Sequence, residues 1–356
     1  MGQANFDCVS DTETESLIAS IDRCFKAWPV SNWGKDRVVV GVSGGADSVL
    51  LMHSLTKIAT DKGNVQVVHC NHCQRGEESD ADEAFVHQQA DRLGVQYRSF
   101  RLSDLESQKR SEEALRKARH RYLTLAAEEF RASWIALAHH LDDQVETFLH
   151  RLLRGTGLRG LGGIPFIRPV FPDHCSSPIQ IVRPFLAIPK EEILSILNKH
   201  GIPYRTDSSN IDCRYARNRL RQELIPLLDS IAGEGWRLRV AETMEQCREQ
   251  VQEREEAVRT KLVCDLKNNG SRNEVSSSLE ELLVFPWSCQ REYFVMLFTA
   301  KGWPLRELGA AHWRRIRSLL DSASECNHPK RIQLPGGIRI AIRKRQLSLW
   351  REGGKT

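Results

Sequence analysis

Short runs of apolar, often β-branched residues alternate with longer amphipathic segments along residues 38–154. The run VVVGV at 38–42 predicts a buried strand, and the segment 48–58 after it has the spacing of a helix. Three more strands are predicted, each followed by or following a helix, with strands at 65–70, 95–100 and 133–138 and helices at 80–93, 112–130 and 142–154. Strands that alternate with helices of this length indicate parallel βαβ units. The pattern therefore predicts an α/β fold with a doubly wound, mainly parallel sheet.

The pattern changes after this region. A helix is predicted at 189–201, where a proline begins the segment and a glycine ends it. Residues 231–322 are predicted to be mostly helical with a polar break at 268–278, and the tail from 332 predicts strands around a Pro-Gly-Gly turn. We therefore predict four segments: an N-terminal helical extension at 1–35, a nucleotide-type domain at 36–228, a helical substrate-binding domain at 229–330 and a short, basic, β-hairpin-like tail at 331–356.

Composition and charge narrow the class of protein. The chain has 356 residues, 40% hydrophobic and 27% charged, and it has no apolar run of the roughly 18 residues that a membrane span needs. Its N-terminus is polar and acidic, unlike a signal peptide, so we expect a cytoplasmic protein with no membrane partner. The net charge is +5, and basic residues concentrate at 313–317 and 343–345. This distribution favours a polyanionic partner such as RNA, although a solvated helix face and a charge-guarded edge strand would give the same pattern.

Ten cysteines are scattered between Cys8 and Cys326. In a chain of this size, that spacing is typical of reduced, mostly buried thiols rather than of a disulfide framework. Cys70 and Cys73 form a CxxC pair flanked by histidines, for which a zinc or iron–sulfur site is conceivable. Because no second CxxC or paired-histidine motif follows, we expect no metal there.

The stretch SGGADS at 43–48 joins the first predicted strand to the first predicted helix. It is neither a Walker A loop, since it lacks the lysine and the span, nor a GxGxxG turn. Two adjacent glycines let backbone N–H groups turn inward at a helix N-terminus, which favours an anion, and the serines add hydroxyl donors. Asp47 would repel a phosphate unless a divalent cation lay between them, so it is a candidate Mg²⁺ ligand, directly or through water. The alternative is a plain glycine turn with Asp47 as an N-terminal helix charge. The candidate phosphate-binding residues are Ser43, Gly44, Gly45, Ala46, Asp47 and Ser48.

A strand followed by SGGxDS and a helix resembles the pyrophosphate-loop (PP-loop) signature of the N-type ATP pyrophosphatases. The resemblance implies an adenine nucleotide alpha hydrolase-like fold, and ATP and Mg²⁺ bound at the loop. Three further segments resemble the tRNA(Ile)-lysidine synthases of that superfamily: HCNHCQR at 69–75, AHHLDDQVET at 138–147 followed by RGTG at 154–157, and TDSSN at 206–210 followed by ARNRLR at 216–221. With the loop they span about residues 38–228, in the order that the family has.

The resemblance implies roles for individual side chains. Asp143 and Glu146 are three residues apart on one predicted helix, so their carboxylates share a face and could bind a lysine ammonium group and take its proton. A solvated helix face is the alternative, and Asp142 is expected to be only an N-terminal helix charge. Of the adjacent histidines at 139–140, one is expected to contact ATP and the other to be structural. The implied catalytic residues are Asp47, Arg119, His139, His140, Asp143 and Glu146, and the implied tRNA- or substrate-binding residues are Arg154, Asn210, Arg217, Asn218 and Arg221.

The function that the resemblance implies is the ATP-dependent ligation of free L-lysine to C2 of the wobble cytidine in tRNA(Ile) with a CAU anticodon. The chain is expected to be a short form without the additional C-terminal domain of longer family members, and a homodimer is possible. Two alternatives remain open. A PP-loop tRNA cytidine thiolase would use Cys70 and Cys73, and a catalytically silent RNA-binding protein would have no use for the acidic residues.

Overall fold

The computed structural model describes residues 35–73, 76–101, 112–171, 178–206, 216–268, 273–305, 307–322 and 330–351. The chain divides into two compact units, Met1–Met244 and Glu245–Thr356. All but the last residue of the predicted N-terminal extension at 1–35 lies outside the described residues.

The first unit is built around a six-stranded sheet. Its strands are β1 (Val38–Gly41), β2 (Val65–Asn71), β3 (Gln96–Arg101), β4 (Trp134–Ala136), β5 (Ile167–Val170) and β6 (Ile179–Val182). The order is β3-β2-β1-β4-β6-β5, in which all neighbours are parallel except β5, which pairs antiparallel with β6 at one edge. The strand order reverses between β1 and β4, and doubly wound sheets bind ligands at such a switch point. The predicted α/β fold with a mainly parallel sheet is confirmed.

Helices cover both faces of this sheet. They are α1 (Ala46–Ile58), α2 (Glu77–Leu93), α3 (Glu112–Glu129), α4 (Leu141–Leu153), α5 (Leu158–Leu161) and α6 (Lys190–Lys199). Because successive residues of a strand point to opposite faces, Val38 and Val40 of β1 pack with α1, α2 and α6, whereas Val39 packs with α3. We call these the α1 face and the α3 face. Both are close-packed by aliphatic side chains, so the carboxyl edge of the sheet is a firm platform for side chains that follow the strands.

The first unit continues beyond the sheet. It contains α7 (Ala216–Arg219), a π-helical turn at Leu220–Leu224, α8 (Ile225–Ala232) and the start of α9 (Trp236–Asn268). Trp236 packs with Val145 of α4 and Ile225 of α8, which explains why the compact unit extends to Met244 rather than ending near 228. The division into four functional segments stays a prediction.

The second unit combines helices with a small antiparallel sheet. Its elements after α9 are β7 (Glu274–Ser278), α10 (Leu279–Leu283), α11 (Trp287–Ala300), α12 (Ala310–Asp321), β8 (Lys330–Gln333), β9 (Ile338–Arg343) and β10 (Gln346–Arg351). The sheet order is β7-β10-β9-β8, and the predicted tail strands do flank the Pro335–Gly337 turn. The polar break predicted at 268–278 is wrong in part, because residues 274–278 form β7. A buried carboxylate supports this strand: Asp265 accepts hydrogen bonds from Ser277 (2.8 Å) and Tyr293 (2.6 Å).

Within the described part of the chain, no helix is both long enough and apolar enough to span a membrane.

Candidate active site

The SGGADS loop forms a cradle of backbone N–H groups between β1 and α1. Gly44 has a φ of +97°, a conformation that side chains with a Cβ adopt only with strain, and Gly45 is the residue that caps α1. No side chain caps the helix, so its first N–H groups are open to an anion. The loop therefore has the geometry of a phosphate site, with Ala46, Asp47 and Ser48 supplying the first N–H groups of the helix.

The two serines of the loop hold its shape. The Ser48 hydroxyl donates to the carbonyl of Gly45 (2.9 Å) and accepts from the backbone N–H of Ser43 (3.1 Å). The Ser43 and Ser48 hydroxyls are also 3.2 Å apart. Because the Ser48 proton is engaged inside the loop, we expect Ser48 to position the cradle and Ser43 to be the hydroxyl that reaches a phosphate.

A neighbouring segment fastens the loop from outside. The backbone N–H of Arg205 donates to the carbonyl of Gly44 at 3.0 Å, in an isolated parallel bridge between Gly45 and Arg205. The Arg205 side chain in turn pairs with Asp82 of α2. The loop conformation is therefore fixed by contacts from α2 and from the segment after α6.

Asp47 faces two cationic groups. Nζ of Lys190, the first residue of α6, lies 2.5 Å from Oδ1 of Asp47, and Nε2 of His140 lies 3.8 Å from Oδ2. Among the residues that the structure describes, no three His, Cys, Asp or Glu side chains are grouped to hold a metal ion. A magnesium ion at Asp47 would therefore take most of its ligands from phosphate and water oxygens, as magnesium beside a nucleotide commonly does. The lone carboxylate fits that kind of site.

His140 connects Asp47 with the first turn of α4. Its ring nitrogens lie 3.4 Å from Asp142 and 3.5 Å from Asp143, and its backbone N–H donates to Asp143 at 3.1 Å. Burial opposes protonation, but Asp142, Asp143 and Asp47 outweigh it and raise the pKa of His140. The same contacts act on the acids: burial disfavours the Asp143 carboxylate, yet His140, His139 and Arg217 hold its pKa below the usual range. At neutral pH, Asp143 is therefore a carboxylate.

Asp142 does more than the predicted helix-terminal charge. Its carboxylate accepts from Nε of Arg237 at 2.9 Å and from the backbone N–H of Lys190 at 3.0 Å. Asp142 thus ties the start of α4 to the starts of α6 and α9. Its burial is outweighed by His140, the Lys190 N–H and Arg237, so the pKa of Asp142 is strongly lowered.

Asp143 and Glu146 share a helix face, as their spacing predicts, and two arginines meet them there. Nε of Arg217 donates to Glu146 at 2.9 Å, and its NH2 group donates to Asp143 at 3.2 Å. Nε of Arg221 donates to the other Glu146 oxygen at 2.6 Å. Glu146 is only 1% exposed, which excludes the solvated helix face that the spacing alone leaves open. We call these four side chains the acidic–guanidinium cluster.

His139 lies on the opposite face of the sheet from His140. It lines a small pocket together with Arg119 and other residues of α3 and with Leu137, which follows β4. Burial lowers the pKa of His139 to about 3, with cationic groups including Arg183 and Arg119 acting in the same direction. His139 is therefore neutral at physiological pH, and its Nδ1 atom is buried without a hydrogen-bond partner among the described residues. Arg119 itself is exposed on α3, so the structure brings it to the pocket edge beside His139.

The remaining predicted residues are less central. Arg154 is exposed at the C-terminal end of α4, and Asn218 is half-buried on α7 beside Arg217. Asn210 lies outside the described residues. The sequence analysis missed Lys190, Arg183 and Arg237. Arg183 could have been noticed, because a charged residue that directly follows an apolar strand at a carboxyl sheet edge is well placed to face a ligand.

The CxxC pair lies at the end of β2, with Cys70 on the strand and Cys73 just after it. Burial raises the pKa of the Cys70 thiol to about 11, and Cys73 donates weakly to the carbonyl of Asn71. Cys70 packs against the α3-face core. Its thiol is therefore a poor nucleophile at neutral pH.

Comparison with known proteins identifies the same domain. The family model described as PP-loop domain matches residues 15–228. A tRNA(Ile)-lysidine synthase from Petrotoga mobilis is 37% identical over 201 residues, which cover 55% of this chain and 61% of that protein. One from Rhodopirellula baltica is 29% identical over 366 residues, which cover 87% and 89%.

The match to several of these synthases covers only part of them. The chain spans 61% of the Petrotoga protein and 44% of a synthase from Bacteroides thetaiotaomicron that is 40% identical over 200 residues. Among solved structures, a U34-tRNA thiolase from Methanococcus maripaludis matches with a TM-score of 0.53 and 18% identity, over 66% of this chain and 80% of that one. That likeness shows the fold. The predicted resemblance to the tRNA(Ile)-lysidine synthases is confirmed. Because the family model matches more than half of this chain, the chain belongs to the PP-loop family.

Proposed function

We propose that this protein is a ligase that uses ATP to join free L-lysine to C2 of the wobble cytidine of tRNA(Ile) with a CAU anticodon. The observation that carries the proposal is the acidic–guanidinium cluster, which lies one histidine away from the PP-loop: His140 is within 3.8 Å of Asp47 and 3.5 Å of Asp143. The PP-loop and a pair of carboxylates that could hold a charged amine are thus adjacent, an arrangement that an RNA-binding protein without catalysis does not require.

Two displacements account for the reaction. In the first, O2 of the cytidine attacks the α-phosphorus of ATP, the bond to the bridging oxygen breaks, and pyrophosphate leaves from the cradle at the start of α1. In the second, the ε-amine of lysine attacks C2, the C2–O2 bond breaks, and AMP leaves. A magnesium ion bound at Asp47 would supply charge neutralisation for the phosphates. Lys190, beside Asp47, is the side chain of this protein that we expect to neutralise phosphate charge further.

The amine of lysine must lose a proton before it attacks. Asp143 is ionised at neutral pH, and it shares a face with Glu146, so the two carboxylates can bind the ammonium group and accept its proton. While no lysine is bound, the guanidinium groups of Arg217 and Arg221 pair with these carboxylates, and Arg217 helps to hold the pKa of Asp143 below its usual range. We expect them to turn toward the lysine carboxylate or the RNA when the ammonium group takes their place.

A tRNA cytidine thiolase is the nearest alternative activity. Such an enzyme needs a reactive sulfur carrier, whereas the pKa of Cys70 is raised to about 11 and its side chain belongs to the core. The acidic–guanidinium cluster has no evident use in sulfur transfer. A cytoplasmic location and a homodimer stay predictions.

The direct test is transfer of radiolabelled lysine into an unmodified CAU-anticodon tRNA(Ile) transcript, with pyrophosphate release measured in parallel. We expect lysine-dependent labelling in the wild type, and none with a transcript that carries GAU. Asp143→Asn should lower labelling by about 100-fold or more while tRNA affinity stays within twofold, because the proton acceptor is lost. The matched control is Glu223→Gln, which removes an exposed carboxylate paired with Arg219 and should leave labelling unchanged.

Sulfur transfer in place of lysine transfer would contradict the proposal, and so would tRNA binding without any pyrophosphate release.

A further inference from the structure

A cluster of cationic side chains lies on the α3 face of the carboxyl sheet edge, apart from the acidic–guanidinium cluster. Arg183 follows β6, Arg168 lies on the edge strand β5, and Arg116 lies on α3. Beyond the effect of burial, Arg168 and Arg116 are close enough to Arg183 to lower its pKa, and Arg116 also lowers that of Arg168. Arg116 and Arg183 act on His139 as well. We call these three arginines the α3-face basic cluster.

Arg183 is the buried member of this cluster. It is 2% exposed, and its NH1 group donates to the carbonyl of Pro165 at 2.7 Å, but its Nε atom has no hydrogen-bond partner among the described residues. Burial and the neighbouring cations lower its pKa only to about 10, so the group remains charged at neutral pH. A buried, incompletely bonded charge is expensive unless an anion completes the site.

Two histidines share with Arg116 a small pocket on this face. His120 and His139 both line it, each with a buried Nδ1 atom that lacks a partner in the described part of the chain. Burial, reinforced by the arginines, lowers the pKa of His120 to about 4, so both rings are neutral and can donate a hydrogen bond to an anion. Asp143 is the carboxylate that acts on His139, but its own partners are His140 and Arg217.

The position of the cluster separates it from the pyrophosphate cradle. Trp134 and Ala136 of β4 point to the α1 face, while Ile135 and Leu137 point to the α3 face. The alternation carries His139 to the α3 face and His140 to Asp47 on the α1 face. The cradle thus has its own donors at the start of α1, and the basic cluster needs a different anion.

We propose that the α3-face basic cluster binds a backbone phosphodiester of the RNA substrate, close to the nucleotide that is modified. Arg116 and Arg168 are exposed, and β5 is an edge strand, so a polymer backbone can reach them and continue past the protein. Arg183 is the buried charge of the cluster. The inference rests on the proposed function, because that function makes RNA the polyanion that enters this edge of the sheet.

The test measures binding of a CAU anticodon stem-loop RNA, without ATP, over a series of salt concentrations. The double variant Arg116→Gln/Arg168→Gln should bind about tenfold more weakly, and the slope of log K against log salt should fall by about one for each phosphate contact that is lost. The matched control is Arg121→Gln, an exposed arginine on the same helix that does not line the pocket. It should change the affinity by less than about twofold. ATP affinity, measured separately, should not change in the double variant.

A second measurement locates the contact in the RNA. Single methylphosphonate linkages remove one phosphate charge at a time from the stem-loop. One linkage should weaken binding to the wild type and to Arg121→Gln but not to the double variant. Arg183→Lys keeps the charge but loses Nε and the NH1 donor to Pro165, and it should weaken RNA binding.

The outcomes separate the two proposals. Loss of ATP affinity in the double variant, or an unchanged salt slope, would overturn the phosphodiester site even if lysine transfer is intact in the wild type. If the variants lose RNA affinity at one linkage but the wild type transfers no lysine, the phosphodiester site would be supported and the proposed ligase activity would be refuted.

Discussion

Two adjacent histidines of one chain have opposite chemistry in this fold. His139 is held neutral among arginines on the α3 face, and its pKa is lowered to about 3. His140 is held among Asp47, Asp142 and Asp143 on the α1 face, and its pKa is raised. Residue type and sequence neighbourhood are the same for both, so the difference comes from the alternation of side chains at a strand end. A sheet edge can thus present an acidic site and a basic site one residue apart.

The largest effect should come from breaking the acidic side. Glu146→Ala removes the carboxylate that holds both Arg217 and Arg221, leaving two half-buried guanidinium groups without it. We expect lysine transfer to be lost and the free energy of unfolding to fall by about 2 kcal/mol, less than for a fully buried pair because the arginines are partly solvated. Urea denaturation measures the fall in the free energy of unfolding, and the control variant Glu223→Ala should show no such fall. An unchanged urea midpoint for Glu146→Ala would mean that the cluster does not support the fold.

The next effect concerns how the α1 face holds an anion. The loop uses backbone dipoles, so Gly44→Ala should weaken ATP binding about tenfold, because alanine at a φ of +97° strains the cradle. Gly45→Ala is the control, since its φ is −72° and an added Cβ would come no nearer than 3.6 Å to the Ser43 hydroxyl. Isothermal titration with Mg-ATP compares the two. Equal losses would show that the positive φ of Gly44 is not what binding requires.

The smallest effect tests the two histidines directly. The folded pKa of His139 lies below its unfolded value of about 6.5, so the unfolded chain binds more protons between about pH 3 and 6.5, and stability is lost as pH falls through that window. The folded pKa of His140 is raised, so its contribution is present below about pH 6.5 and is lost as pH rises through the folded value.

Urea unfolding in metal-free buffer at pH 5 and pH 8 measures these opposite slopes. Relative to that of the wild type, the free energy of unfolding of His139→Gln should be higher at pH 5 than at pH 8. That of His140→Gln should be lower at pH 5 than at pH 8. A shift of the same sign in both variants would refute the contrast between the two faces.

The predicted parts of the molecule are those in which local pattern and tertiary packing agree. The apolar run before SGGADS, the spacing of Asp143 and Glu146 and the glycine-bounded helices all indicated their structures correctly. Strands β5 and β6 were not predicted, because each has only four residues and β5 contains an arginine and a proline, which edge strands tolerate. Strand β7, EVSSS, looks like a loop in sequence. Its Ser277 is buried, and Asp265 accepts a hydrogen bond from the Ser277 hydroxyl group.

The site residues that were not predicted from the sequence escaped notice for a common physical reason. Lys190 contacts Asp47 across 143 residues of sequence, and Arg237 contacts Asp142 across 95. Neither residue belongs to a motif, and their meeting depends on how α6 and α9 begin beside the sheet edge. Arg183 is recognisable as part of a site only when Arg116 and Arg168 are seen around it.

The hydrogen bond from Arg205 to the Gly44 carbonyl affects which kind of ligand, cation or phosphate, the loop can bind. A free carbonyl oxygen in this turn would attract cations and repel phosphate, but this one is already occupied by an N–H group from outside. The Gly44 carbonyl is thus not available to a cation, and the Asp47 carboxylate beside it already faces Lys190. We therefore expect magnesium to bind together with ATP rather than before it. Magnesium alone should then not protect the loop from proteolysis, whereas Mg-ATP should.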